Sequence, residues 1–277
     1  KYFTRFSLRV FEELKDYVTL WCTINEPAIY AFSGYILGDF PPGHVMDFKS
    51  AGNVIKNFMI AHCEVYREIK KRGQELGIET KVGLAHNILQ FDPYHENQLE
   101  AAACKTMTDC FSNSVVNFFK TGEFEFNIFS YLKSASLRFT AEIKYTDKYA
   151  PKCLDFFGLN YYCNILIIDL KTCYVGFREG AIKTDMPYPI CAEGFYRALK
   201  QVGELNIPIY VTENGISDAK DDRRDTWIKR YIYSLDKAIS EGVDVRGFFY
   251  WSLMDNFEWN MGYAQKFGLY EVNLKNF

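Results

Sequence analysis

Little in this sequence points to a metal, a membrane or a nucleic acid. Its four histidines, His44, His62, His86 and His95, follow no ligand spacing. Its eight cysteines (Cys22, Cys63, Cys104, Cys110, Cys153, Cys163, Cys173 and Cys191) include no Cys-x-x-Cys pair. Both facts argue against a zinc site, and the scattered thiols argue against a compact disulfide framework. No apolar run approaches the ~20 residues that cross a bilayer. With 32 Lys and Arg against 35 Asp and Glu, the net charge of −3 gives no basic bias toward nucleic acid. No metal or cofactor is therefore expected, and neither nucleic acid nor membrane is expected as a partner; oligomeric state is left open. Scattered thiols suit the cytoplasm. Residues 1–5 do not resemble a signal peptide, and a start without methionine, inside a helix-like pattern, gives the expectation that the native N-terminus lies upstream.

Apolar and aromatic residues are abundant. The 277 residues are 48% hydrophobic, with 20 Tyr and 24 Phe, enough for a large core. Residues 3–17 carry helical spacing at Phe6, Val10, Phe11 and Leu14, and residues 18–24 form an apolar, β-prone run. Further helices are predicted over residues 53–76, 98–119, 192–205 and 225–241. Further strands are predicted over residues 80–85, 154–160, 207–212 and 245–251, and a β-hairpin over residues 163–183. Alternating βα units imply a parallel sheet with right-handed crossovers. The strand count is five, where a closed barrel takes eight. The expectation is one (β/α) domain over residues 1–277 that supplies a contiguous part of such a barrel.

Two glutamates stand at the ends of such strand-like runs. Glu26 lies in Thr23-Ile24-Asn25-Glu26-Pro27 and Glu213 in Val211-Thr212-Glu213-Asn214-Gly215. Singly, each has a plain reading: Asn-Glu-Pro can open a helix, and Glu-Asn-Gly can be a turn. Together, 187 residues apart (213 − 26), they fall where a parallel barrel builds its active site. Two carboxylates there can divide acid and nucleophile duties across a glycosidic bond. Glu258, set between Phe257 and Trp259, is a charge among aromatics, costly unless a ligand or partner compensates. Trp251 and Tyr162, by contrast, read equally as core aromatics. The charged run from Asp218 to Arg224 reads as a solvated loop face.

Four ordered motifs carry a family resemblance over essentially the whole chain. Thr-Ile-Asn-Glu-Pro at residues 23–27, Asn160-Tyr161-Tyr162, Thr-Glu-Asn-Gly at residues 212–215 and Trp251-Ser252-Leu253-Met254-Asp255-Asn256-Phe257-Glu258-Trp259 resemble the β-glucosidase family of retaining glycoside hydrolases, family one. The resemblance implies an α/β fold of the (β/α)8 TIM barrel family, this chain covering roughly strands 4 to 8 as a single catalytic domain, residues 1–277, incomplete at both ends. It also implies hydrolysis of β-glucosides or related unphosphorylated β-glycosides by a two-carboxylate double displacement, without a cofactor.

Residue by residue, Glu26 resembles the acid/base and Glu213 the nucleophile. Asn25 resembles the residue that bonds the sugar 2-hydroxyl, and Asn160 one that lies beside the acid/base. Tyr162 resembles the phenol that donates to the nucleophile carboxylate. Trp251 resembles the platform under the sugar ring, and Glu258 and Trp259 the pair that meets hydroxyls 4 and 6, with Phe267 behind them. A phenol hydrogen bond keeps a nucleophilic carboxylate ionised, while the nearby charge should keep Glu26 protonated at rest. The family's Gln, His-Trp pair and Arg from its first three strands have no counterpart here, and Lys266 stands where Arg is common. The alternative implied is a truncated, inactive relative that at most binds sugar or a partner.

Overall fold

The structure, a computed structural model, describes residues 1–128, 140–163, 165–169, 171, 172 and 174–275. The chain runs in the order α1 (Tyr2–Leu14), β1 (Leu20–Asn25), α2 (Pro27–Ala31), α3 (Phe48–Leu76), β2 (Lys81–Asn87), β3 (Gln90–Pro93), α4 (Gln98–Thr108), α5 (Ser114–Thr121), β4 (Glu123–Ile128), β5 (Ala141–Thr146), β6 (Phe156–Asn160), β7 (Ile165–Asp169), β8 (Tyr174–Gly176), α6 (Ala192–Gly203), β9 (Ile209–Asn214), α7 (Arg224–Ser240) and β10 (Val245–Tyr250). Two compact units emerge, with α4 and β6 each divided between them: Lys1–Asn87 with Lys105–Gly158, and Ile88–Cys104 with Leu159–Phe277.

In the first unit the parallel strands are ordered β1-β2-β6. Leu20 lies opposite Lys81, Trp21 opposite Val82 and Asn25 opposite Ala85. Every residue of β2 except Lys81 is buried, as a strand covered on both faces requires. The long helix α3 has clear start and stop signals. Asp47 accepts from the Ser50 N–H at 3.0 Å to open it, and Gly77, left-handed at φ 69, closes it. Its residues Val65 and Ile69 join Phe11 of α1, Trp21 of β1 and Val82 of β2 in one buried cluster. Burying each large apolar side chain contributes about 1.5–3 kcal/mol. Antiparallel β4 and β5 pair from Glu123–Thr146 to Ile128–Ala141.

The second unit orders the end of β6 with β9 and β10, and pairs β3, β7 and β8 separately. β9 and β10 run parallel, Val245 opposite Ile209 and Tyr250 opposite Asn214. Behind them α6 and α7 pack through aromatics: Trp227 stacks on Tyr231 at 4.0 Å, and Tyr231 on Phe195 at 5.6 Å.

The five predicted parallel runs are β1, β2, β6, β9 and β10. The second helix begins at Phe48 rather than residue 53 because Asp47 supplies its cap. The predicted helix over 98–119 is α4 and α5 joined by a π-helical turn, Asp109–Asn113. β7 and β8 pair antiparallel within the expected hairpin; Asn164, Leu170 and Cys173 of that span lie outside the described residues. β3, β4 and β5 were not expected. β4 and β5 are separated by 129–140, so no short turn marks them as a hairpin. Among the described residues no helix is long and apolar enough to cross a membrane.

Candidate active site

In the first unit the site residues sit at the ends of β1 and β2. The Glu26 N–H bonds to the Ala85 carbonyl at 2.9 Å, continuing the β1 pairing by one residue. Glu26 itself is left-handed, φ 49 and ψ 57, because it must leave the strand and cap α2, whose first residue is Pro27. That conformation costs a non-glycine residue about 1–2 kcal/mol. Its half-buried carboxylate accepts from Asn87 Nδ2 at 3.2 Å, and Asn25 beside it is exposed. Asn87, the last residue of β2, was not among the predicted site residues, although its place at a strand end was legible.

In the second unit Glu213 lies inside β9, half-buried. The Tyr162 Oη–H donates to its Oε2 at 2.7 Å, and the Tyr161 N–H bonds to its carbonyl at 3.0 Å. Next to it, the Thr212 hydroxyl donates to Oδ1 of the fully buried Asn160. Phe267, also buried, meets the Tyr162 ring edge-on at 6.0 Å. The Trp251 N–H continues the β9–β10 pairing by bonding to the Asn214 carbonyl at 3.0 Å. The Glu258 carboxyl is pushed above the ordinary range by burial and then by the charge of Glu213, while a hydrogen bond from Trp251 works against the rise. Glu213, Trp251 and Glu258 thus share one electrostatic environment. Trp259, by contrast, is 69% exposed.

The charges behind this site correct the sequence reading. Lys220, Asp221 and Asp222 are exposed, but Asp218 and Arg224 are buried at 1% and 7% exposure. Two charges at the ends of a seven-residue charged run look like surface; their distant partners, Tyr250, Lys266 and Phe267, are ones no local pattern reveals. Burial raises the Asp218 carboxyl, but backbone and side-chain bonds from Arg223 and the Arg224 N–H outweigh it and hold it below the ordinary range. Lys266 is likewise occupied internally, its Nζ 2.9 Å from the buried Asp255.

His62 and His95 are engaged structurally. His62 is buried between the Thr23 hydroxyl and the Cys153 carbonyl, each at 2.6 Å, so Nε2 donates and Nδ1 accepts; burial holds its pKa down at about 4. The structure also brings together three groups that sequence spacing did not, His95, Glu100 and Asp169, with ligand atoms within 4.8 Å of one another. Each carboxylate there already holds its loop: Glu100 accepts from the His95 N–H at 2.7 Å, and Asp169 from the Thr172 hydroxyl at 2.7 Å.

The profile of Glycosyl hydrolase family 1 matches residues 1–277. The chain is 33% identical over 293 residues to "Beta-glucosidase A" of Thermotoga maritima, covering 98% of this chain and 63% of that protein. It is 30% identical over 304 residues to a "Beta-galactosidase" of Pyrococcus woesei, covering 98% of this chain and 57% of that protein. The solved "Family 1 b-glucosidase from Thermotoga maritima" superposes with a TM-score of 0.79 at 29% identity, over 99% of this chain and 63% of that one. This chain therefore spans about 57–63% of the length of these relatives. Its parallel strands and helices are those of the (β/α)8 TIM barrel class to which these relatives belong. With the ordered motifs at its strand ends and the profile matched along its whole length, the chain belongs to Glycosyl hydrolase family 1.

Proposed function

We propose that the protein is a retaining β-glycosidase that hydrolyses unphosphorylated β-glucosides or related β-glycosides. The observation that carries this reading is the Tyr162 phenol donating to Glu213 at 2.7 Å, with Glu258 feeling the Glu213 charge beside Trp251. Ionised Glu213 attacks the anomeric carbon and forms a glycosyl ester, while Glu26 gives its proton to the departing oxygen. Glu26, now a carboxylate, then takes a proton from water, whose oxygen attacks the same carbon and releases Glu213. Two inversions give net retention. In this mechanism the acid/base is protonated at rest and ionised once the ester has formed, the two states assigned to Glu26.

Around this pair, Asn25 meets the sugar 2-hydroxyl and Asn160 supports the acid/base side. Trp251 stacks on the apolar face of the ring, as aromatic platforms do. Glu258 and Trp259 meet hydroxyls 4 and 6, and Phe267 backs Tyr162. The carboxylates carry the chemistry with no metal or organic cofactor. The five parallel strands correspond to roughly strands 4 to 8 of the barrel, and the cytoplasm is the proposed location.

The test is anion rescue in the full-length enzyme. Glu213→Ala loses nearly all turnover, and azide restores it with an inverted glycosyl azide as product. Glu26→Ala keeps the first step for aryl glycosides with good leaving groups, and azide yields the retained product. Equal losses for Glu26→Ala on activated and unactivated substrates would overturn the assignment.

A further inference from the structure

We infer that Arg224 is a positioning residue that fixes the segment following the nucleophile strand against the segment carrying Phe267, and so sets the alignment of Tyr162 on Glu213. The inference rests on the proposed roles of Glu213 and Tyr162. Arg224 is the first residue of α7 and only 7% exposed. A buried cation is costly unless every donor is used. Here Nη1 donates to the Ile216 carbonyl at 2.9 Å, to the Phe267 carbonyl at 3.2 Å and to the Tyr250 hydroxyl. Nη2 donates to the carbonyls of Asp218 at 3.0 Å and Lys266 at 3.1 Å, and Nε to Asp221 at 2.6 Å.

These acceptors belong to three stretches: the loop after β9, the last residue of β10, and residues 266–267. A guanidinium is planar, so its donors leave in fixed directions and the acceptors they reach are fixed relative to one another. Two further links join the same stretches. The Asp218 N–H bonds to the Lys266 carbonyl at 2.9 Å, and the Lys266 N–H to the Ser217 hydroxyl at 3.0 Å. The Phe267 carbonyl held by Arg224 also accepts from the Ser252 N–H at 3.2 Å, next to Trp251. The route to the reacting carboxylate is then two contacts long: Phe267 lies edge-on to Tyr162, and Tyr162 donates to Glu213. A displacement of residue 267 moves the phenol off the carboxylate. Lysine at this position keeps the charge but carries all its donors on one nitrogen and lacks the plane.

The test compares full-length wild type with Arg224→Lys, Arg224→Met and Ala198→Gly, the last a helix-interior change in α6 that lowers stability away from this network. For Arg224→Lys, kcat on an aryl β-glucoside falls about ten- to a hundredfold, as small misplacements of catalytic groups do. The acidic limb of kcat/KM moves to higher pH because the ionised nucleophile has lost its donor, while Ala198→Gly moves neither. A second readout needs no turnover: the pH titration of Glu213, followed by carbon NMR in selectively labelled protein, moves upward in Arg224→Lys and in any folded Arg224→Met. If Arg224→Lys matches Ala198→Gly in pH profile and Glu213 titration, the inference is overturned. If wild type cleaves no β-glycoside yet the titration moves, Arg224 positions the pair and the proposed function is what fails.

Discussion

The two units treat their carboxylates in opposite ways. Glu26 in the first unit stands outside its strand, on left-handed backbone, and accepts from a neutral amide, Asn87. Glu213 in the second lies within its strand and accepts from a phenol that is itself backed by Phe267. The polar groups behind them differ as well. In the first unit they tie secondary structure together: Asp155 accepts from the Val82 N–H at 2.8 Å, from Tyr66 at 2.9 Å and from Lys70 at 3.0 Å. In the second, Asp218, Arg224, Asp255 and Lys266 tie loops, and those loops carry the site. The contrast fits the proposed chemistry. A neutral amide donates to the carboxylate proposed to give up and regain a proton, and a phenol to the one proposed to stay ionised.

Close backbone contact gives the harshest test of this contrast. Both units contain a glycine with no room for a side chain: a Cβ on Gly83 meets the Phe156 carbonyl oxygen, and one on Gly215 meets the Trp251 carbonyl oxygen. Each alanine variant should lose about 3 kcal/mol or more by denaturant unfolding, because backbone must move. Gly215→Ala should also lose turnover in the fraction that folds, since Trp251 moves with its carbonyl. Gly83→Ala at a temperature where it is folded should keep kcat, and a matching loss there would erase the distinction between the units.

The next effect belongs to the phenol alone. Tyr162→Phe in the full-length enzyme should lower kcat about ten- to a hundredfold, the value of a charge-assisted hydrogen bond. The acidic limb of kcat/KM should shift upward at the same time. An unchanged pH profile would mean that the 2.7 Å bond does not govern the nucleophile.

Acid should expose the first unit through His62. Its folded pKa of about 4 lies below the usual 6.5, so the unfolded chain binds the extra proton first. The stability this burial permits is complete above pH 6.5 and falls as pH drops toward about 4. His62→Gln should make the melting temperature less steep against pH across that window, with His86, held at about 4 by burial as well, supplying the remaining slope, at some cost in stability throughout. Retention of the wild-type slope would assign the loss to His86, which burial also holds at about 4. Asp255 acts at lower pH: burial raises its carboxyl, but Lys266 and the N–H groups of Gly268 and Val272 outweigh it and hold it below its ordinary 3.8, so its contribution is lost only as pH falls below that value.

Glu258 should give the smallest effect and the opposite sign. Its carboxyl is raised by burial and by Glu213, so its contribution to stability is present at acid pH and lost as pH rises through the raised value. Glu258→Gln should therefore melt about 2 °C higher at neutral pH, with the gap closing below pH ~4.5. The same variant should bind plain glucosides less well and discriminate less against a 6-phosphate, whose charge the carboxylate repels. A neutral-pH melting temperature below wild type would show that Glu258 is compensated in the free protein.

Much of this arrangement was legible from sequence because strand ends announce themselves. The apolar runs before Glu26 and Glu213 became β1 and β9, and the residues singled out after them, Tyr162 against Glu213 and Trp251 beside Glu258, meet in the structure. What stayed hidden has a common physical cause. The Asp218–Arg224 run looks solvated because local composition says nothing about acceptors 42 and 43 residues away. His95, Glu100 and Asp169 converge because β3 pairs with β7, a register no short-range pattern encodes. The left-handed turn at Glu26 is equally silent, since glutamate carries no preference for it.

That turn has an evolutionary consequence. A glycine at residue 26 would relieve the backbone of about 1–2 kcal/mol and would be selected by any screen for heat resistance alone. It would also delete the carboxylate. A codon change that relieves this backbone is therefore one the proposed chemistry cannot accept. A library sorted for folding without a turnover filter should accumulate inactive, sturdier molecules altered at this residue.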